Sequence, residues 1–173
     1  MPYTKTVWVS GVTPVDAAEM NNLETQYDES TADSGAVRKT ADETVNNSAV
    51  LQNDNELLFA MGVNERFVFE CVIYYTTGGI PGFAFFFTKP VGAIYNGTSI
   101  RHAVANQQIA ADLGQFNYAG ASSPFGGGSI IYAKGIVING ANVGNFQLQW
   151  CQAVANASDT KVLTNSYLSM RHL

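Results

Sequence analysis

The sequence predicts a mainly β protein: an antiparallel β-sandwich or jelly roll, with a flattened barrel as the alternative, preceded by a short N-terminal helical arm. Three observations predict it. In Glu65–Thr77 (ERFVFECVIYYTT), Phe67, Phe69, Cys71, Ile73 and Tyr75 recur at every second position, and Arg66, Val68, Glu70, Val72 and Tyr74 take the other face. That period of two, in a run dense in aromatic and β-branched residues, is a strand signature. Phe83–Thr88 (FAFFFT) is apolar on both faces, as in strands covered from both sides. A clear helical start occurs near the N-terminus, at Thr13-Pro14.

The arm comes first. Tyr3–Ser10 is a short extended segment carrying Trp8. Thr13 can cap a helix, Pro14 suits its first position, and Asp16 sits three residues after the cap. The helix is predicted to run to about Glu29, with Met20, Leu23 and Tyr27 as a narrow apolar stripe at three-then-four spacing. So small an apolar area cannot hold a short helix in isolation. It must dock on its own β domain, on another copy or on a different protein, and Trp8, Val12, Met20, Leu23 and Tyr27 are the candidate anchor residues. Ser30–Gly35 (STADSG) reads as a linker, which divides the chain into an arm at 1–35 and a sandwich at 36–173.

Within the sandwich, Ala36–Ala41 and Glu43–Gln52 hold short extended candidates, Asn53-Asp54-Asn55 reads as a turn, and Glu56–Met61 as a strand. Thr76–Gly82 reverses the chain, with glycine supplying positive φ and Pro81 a fixed turn angle. An exposed FAFFF edge would invite aggregation. Either the core or a subunit interface must therefore cover it, and Phe83, Phe85, Phe86 and Phe87 are candidate oligomer contacts. Lys89–Gly128 is rich in turn residues, and its Ser99–Leu113 portion suits a helix or two irregular strands. Ser129–Asn139 and Asn145–Val154 read as a hairpin, and Thr160–Leu173 as a final strand. The predicted core comprises Phe67, Phe69, Ile73, Phe85, Leu148, Trp150 and Leu168.

The totals narrow the function. Of the 173 residues 46% are apolar but only 13% charged, about half the usual charged share. A surface so neutral suits either partial cover by neighbouring subunits or an ordinary neutral β domain. A net charge of −5 with scattered Lys and Arg argues against nucleic acid as a partner. Cys71 and Cys151 fall at core-type strand positions and read as two buried thiols. The opening MPYTKTVWVSG lacks the apolar run of a signal peptide, and no stretch approaches the roughly 20 apolar residues that span a bilayer. Synthesis and folding in a cytoplasm, with no membrane partner, are therefore expected. The glycosylation patterns at Asn46, Asn96 and Asn156 then carry no meaning.

Catalytic signatures are missing from the sequence. There is no GxSxG, no P-loop and no GxGxxG before a helix. His102 and His172 stand far apart, without a His or Cys at metal-ligand spacing. Glu56, Glu65 and Glu70 could form a carboxylate pair for sugar hydrolysis but read better as solvent-facing strand charges. Ser122 and Ser123 have no basic partner nearby. Tyr74, Tyr75, Tyr95, Tyr118 and Tyr132 could line a carbohydrate platform or lie in the core. No catalytic residue, metal or cofactor is assigned.

Two stretches carry a family resemblance. KTVWVSGVTPVDAAEMNNLETQYDE, through Trp8, Gly11, Thr13, Pro14, Asp16, Ala17, Asn21 or Asn22, and Glu24, resembles the N-terminal module of tailed-bacteriophage virion proteins. Lys39–Glu43 (KTADE), Leu57–Ala60, Phe67–Glu70, Leu148–Gln152 and Ser166–Leu168 resemble a β domain found in such proteins, with Cys151 where alanine is usual. The resemblance implies a non-enzymatic virion structural protein made in a bacterial host's cytoplasm. It would be a capsid decoration or head fibre protein, or a small tail or collar component. Such proteins are commonly homotrimeric. Its partners would then be further copies of itself and other virion proteins, with the arm as anchor and the β domain exposed. The rival reading is a carbohydrate-binding module for host surface glycans.

Overall fold

The computed structural model describes residues 20–23, 25, 34–78, 81–102, 110–111, 116–118 and 129–173. The chain divides into two units, Met1–Asp33 and Ser34–Leu173. In the first, Met20–Leu23 and Thr25 are helical, and Met20 and Leu23 are exposed. The Thr25 hydroxyl donates to the Asn21 carbonyl, 2.8 Å away. Trp8, Val12, Tyr27 and the rest of the expected helix lie outside the described residues. Among the described residues no helix is long and apolar enough to cross a membrane.

The second unit is built of strands: β1 (Ser34–Arg38), β2 (Glu43–Val45), β3 (Gln52–Met61), β4 (Arg66–Thr77), β5 (Phe83–Thr88), β6 (Ile94–His102), β7 (Ala110–Ala111), β8 (Phe116–Tyr118), β9 (Ser129–Ile138), β10 (Gly144–Cys151), β11 (Thr160–Val162) and β12 (Tyr167–His172). β1 starts at Ser34, inside the segment read as linker. The larger sheet runs β1-β12-β4-β9-β6-β7, with β11 pairing the far end of β4 and β2 pairing β11. The smaller sheet runs β3-β10-β5-β8. All pairings are antiparallel, and the sheets do not close into a barrel. The architecture is that of a β-sandwich.

β4 holds the centre as its alternation requires. Phe69, Cys71, Ile73 and Tyr75 are buried towards the smaller sheet and Phe67 is half-buried against the same cluster, whereas Arg66 and Glu70 on the opposite face are exposed. All seven predicted core residues belong to the core cluster or pack against it. Rings dominate the layer between the sheets. Phe69 of β4 lies 4.9 Å from Phe146 of β10 and 5.3 Å from Phe87 of β5, and Phe87 stacks on Phe146 at 5.0 Å. Phe69 is opposite Gly135 of β9, which in turn is opposite Gly97 of β6. Gly135 leaves room for the Phe69 ring, and Gly97 for the Tyr95 ring. A β-carbon on Gly135 would clash with the Asn96 carbonyl and lie 2.6 Å from Gly97 Cα and 2.8 Å from the Phe69 ring.

Three local readings are corrected. The stretches read as a hairpin, Ser129–Asn139 and Asn145–Val154, belong to different sheets. β9 is paired on both edges by β4 and β6, and β10 by β3 and β5, so neither has an edge left for the other. The connection is an inter-sheet arch, stacked on the arch from β3 to β4. Asn139 N donates to the Glu65 carbonyl and Asn64 N to the Gly140 carbonyl, each at 2.8 Å. Asn53-Asp54-Asn55 is likewise not a turn. It lies inside β3, where the register with β10 jumps between Gln147 and Gln149, so polar residues at a bulge imitate a turn. Of Ser99–Leu113, the described residues form the end of β6 and β7, which are strands. Thr160–Leu173 is split into β11 and β12.

This packing predicts two stability effects. Trp150→Ala removes a fully buried ring and should cost about 3–5 kcal/mol. Gly135→Ala forces backbone atoms apart and should cost at least about 1–3 kcal/mol. Denaturant midpoints measure both, and an unshifted midpoint for either variant would contradict the packing.

Candidate functional site

Two groups of side chains stand out, one buried and one exposed. The buried group is built by the KTADE stretch, Lys39–Glu43. Lys39 N donates to the Ser166 carbonyl at 2.8 Å, and the Lys39 carbonyl accepts from Asn165 N at 2.9 Å, so the side chain is turned inward. There its ammonium lies 2.8 Å from Asp54 Oδ2, 2.8 Å from Glu43 Oε2 and 3.8 Å from Glu56 Oε2. Thr40 N donates to Glu56 at 3.0 Å, Thr164 N to Asp42 at 2.8 Å, and Gln52 to Glu43 Oε1 at 2.9 Å. Every side chain of the motif except Ala41 is therefore engaged in joining β1, β3 and the turn before β12. Burial pushes the Lys39 pKa down, but its bonds to Asp54 and Glu43 more than offset this and hold the ammonium above its ordinary value. The hydrogen bonds from Thr40 hold the Glu56 carboxyl below its usual range.

The exposed group covers the outer face of the larger sheet. Register aligns Tyr167 of β12, Val72 of β4 and Tyr132 of β9 in one row, and Tyr74 sits one step further along β4 opposite Ile130. Val72 is buried although it faces away from the smaller sheet. The Tyr167 hydroxyl donates to Glu70 Oε1 at 3.1 Å. Burial, then the bond to Glu70, raises the Tyr167 pKa, and Tyr74 and Tyr132 lie close enough to add to it. Beyond Glu70 and its opposite residue Lys134, apolar and charged residues share the face: Val68 lies between Ile136 and Arg171, and Ile138 between Ile94 and Arg66. Ile94, Ile136 and Ile138 are exposed. A shallow groove of about 510 Å³ runs alongside, lined by Gly35, Ala36, Val68, Glu70, Ser169 and Arg171 among others.

No protein-family model and no curated protein matches the chain.

The residues singled out from the sequence are dispersed across the fold. Phe83, Phe85 and Phe87 are fully buried in the chain's own core, leaving only Phe86 of β5 half-buried on the other face. Tyr75 and Tyr95 are core rings as well. Tyr75 stacks on Phe83 at 4.5 Å, and Tyr95 lies 5.5 Å from Phe69. Of the tyrosines singled out, Tyr74 and Tyr132 lie on the outer face, where Tyr167 of the last strand joins them. Tyr118 falls in β8, His102 in β6, and Ser122 and Ser123 lie outside the described residues. His172 stands edge-on to Phe67 at 4.8 Å. Glu65 accepts from Gly62 N, Glu56 from Thr40 and Glu70 from Tyr167, so the three carboxylates have separate partners. Among the described residues no three His, Cys, Asp or Glu side chains are grouped to hold a metal. Cys71 and Cys151 are buried free thiols whose pKa values burial pushes up.

Two measurements check these environments. Both thiols should react slowly with a thiol reagent in the native protein and fast in denaturant; a fast native reaction at neutral pH would contradict the burial. The raised Tyr167 pKa means that its contribution to stability is complete below the ordinary tyrosine range of about 10 and is lost as pH rises through the folded value. Glu70→Gln should bring the Tyr167 titration, read by phenolate absorbance, down towards that range without reaching it, because burial is the larger cause. An unchanged titration would contradict the assigned hydrogen bond.

Proposed function

We propose that the protein is a non-enzymatic structural component of a tailed-phage virion. It self-associates as a homotrimer and contacts other virion proteins, as a capsid decoration or head fibre protein or a small tail or collar component. The N-terminal arm serves as anchor and the β unit as the exposed part. The observation that carries this reading is the outer face of the larger sheet. Three exposed isoleucines and three tyrosines lie on one face of a chain poor in charge, with Glu70 and Lys134 between the two groups and Arg66 and Arg171 beside the isoleucines. Exposed apolar residues rimmed by polar ones mark interaction sites. Because Phe83, Phe85 and Phe87 fill the core, the contact between copies is assigned to Val68, Ile94, Ile136 and Ile138 instead.

A second reading is favoured by the tyrosines. Tyr74, Tyr132 and Tyr167 beside the Glu70 carboxylate offer ring faces and a hydrogen-bond acceptor, the means by which proteins hold sugars. Host surface glycan binding would rest on them. A glycan array separates the readings: micromolar binding to one sugar class, lost in Tyr132→Ala, would favour the second.

The assembly reading predicts the behaviour of the doubly substituted Ile136→Glu, Ile138→Glu protein. Ile136 and Ile138 are 41% and 37% exposed, so burying what remains of each contributes about 0.6–1.2 kcal/mol, and association should weaken by about tenfold or more. Both side chains are exposed in the single chain, so the stability of the monomer should change by no more than about 0.5 kcal/mol. Light scattering over a dilution series reads the effect. An oligomer of unchanged mass and affinity would contradict the assigned face.

A further inference from the structure

The geometry points to a covalent cross-link that the chain forms by itself: an isopeptide bond between the Lys39 amine and the Asp54 carboxyl, with Glu43 as the proton carrier. Lys39 is 1% exposed and Asp54 fully buried, with Nζ 2.8 Å from Oδ2. At that separation the nitrogen lies close to Cγ, near the roughly 3–3.5 Å at which oriented groups react with high effective molarity. An amine and a carboxylate do not condense in water, where both ions are well solvated and hydrolysis is favoured. Burial removes the solvation of the ions and the excess of water together.

The carboxyl is also held as a reacting carboxyl should be. Asp54 Oδ1 accepts from Glu56 N at 3.0 Å and from Leu57 N at 2.9 Å. Two backbone N–H groups on one oxygen polarise the Cγ–Oδ1 bond and would stabilise negative charge on that oxygen during attack. The leaving oxygen Oδ2 faces the amine. Glu43 Oε2 stands 2.8 Å from the same Nζ, and Glu43 is itself fixed by Gln52. Glu56 is further away and is held ionised by Thr40, which leaves Glu43 as the relay.

The step balances without any co-reactant. One ammonium proton passes by way of Glu43 to Asp54 Oδ2, giving a neutral amine and a carboxylic acid. Nζ attacks Cγ, and the oxyanion forms on Oδ1. Glu43 takes a second proton from the nitrogen and delivers it to Oδ2. The Cγ–Oδ2 bond breaks, one water leaves, and Glu43 is again a carboxylate. The resting cluster holds the amine protonated, because Asp54 and Glu43 outweigh the effect of burial, so the reaction needs this relay. The product would join the end of β1 in one sheet to β3 in the other, a covalent tie across the sandwich.

Mass spectrometry of the intact purified chain in denaturant, followed by tryptic mapping, tests the proposal. The expected result is a mass lower than the sequence mass by one water, no tryptic cleavage after Lys39, and a branched peptide joining Lys39 to Asp54. The Glu43→Gln protein should retain the full mass in a substantial fraction of molecules, and Asp54→Ala in all of them. The full sequence mass for the unmodified protein with normal cleavage after Lys39 would overturn it. So would a water loss mapped to any other pair.

Discussion

The sandwich depends on the contact that Phe69 makes across it. Opposed sheets settle about 10 Å apart, and the rings of Phe69, Phe87 and Phe146 span that distance within centroid separations of 4.9–5.3 Å. Such a ring fits against its neighbouring strand only where that strand carries no side chain. Gly135 provides that space for Phe69, and Gly97, paired with it, provides space for the Tyr95 ring. Density at this point fixes which face of β4, β6 and β9 turns inward, and with it which residues remain outside.

What the sequence reveals about this fold depends on whether a signal is local. The alternation along Arg66–Thr77 is local, and it gave the strand, its buried face and the core partners Trp150 and Leu148. Pairing is not local. Ser129–Ile138 and Gly144–Cys151 have the alternation and spacing of a hairpin, yet each finds both partners elsewhere, because the chain crosses between sheets at this turn. Asn53-Asp54-Asn55 misled for a related reason. Asp54 is polar and buried because Lys39, fifteen residues earlier, supplies its counter-ion.

The two groups of side chains separate stability from contact. The KTADE motif is occupied in holding the β1 end, β3 and the β11–β12 turn together. Its residues speak for the fold rather than for a binding site. On the outer face of β12, β4, β9 and β6, Val72 is buried and Ile136 remains exposed. That face was only partly legible. Ile136 and Ile138 read as ordinary strand residues, Ile94 fell in a turn-rich stretch, and Phe83, Phe85 and Phe87, read as candidate oligomer contacts, are core rings. A run apolar on both faces is satisfied equally by a core or by a subunit, and sequence alone cannot choose between them.

Under the proposed assembly role, the β unit is self-sufficient and attachment to the particle belongs to the arm. Expression of residues 34–173 tests this most directly, with mass by light scattering, a thermal melt and binding to particles lacking the native protein. The account predicts a cooperatively folded fragment with the oligomeric state of the full chain that no longer binds the particle. An unfolded fragment, or one that binds particles as the full chain does, would contradict it.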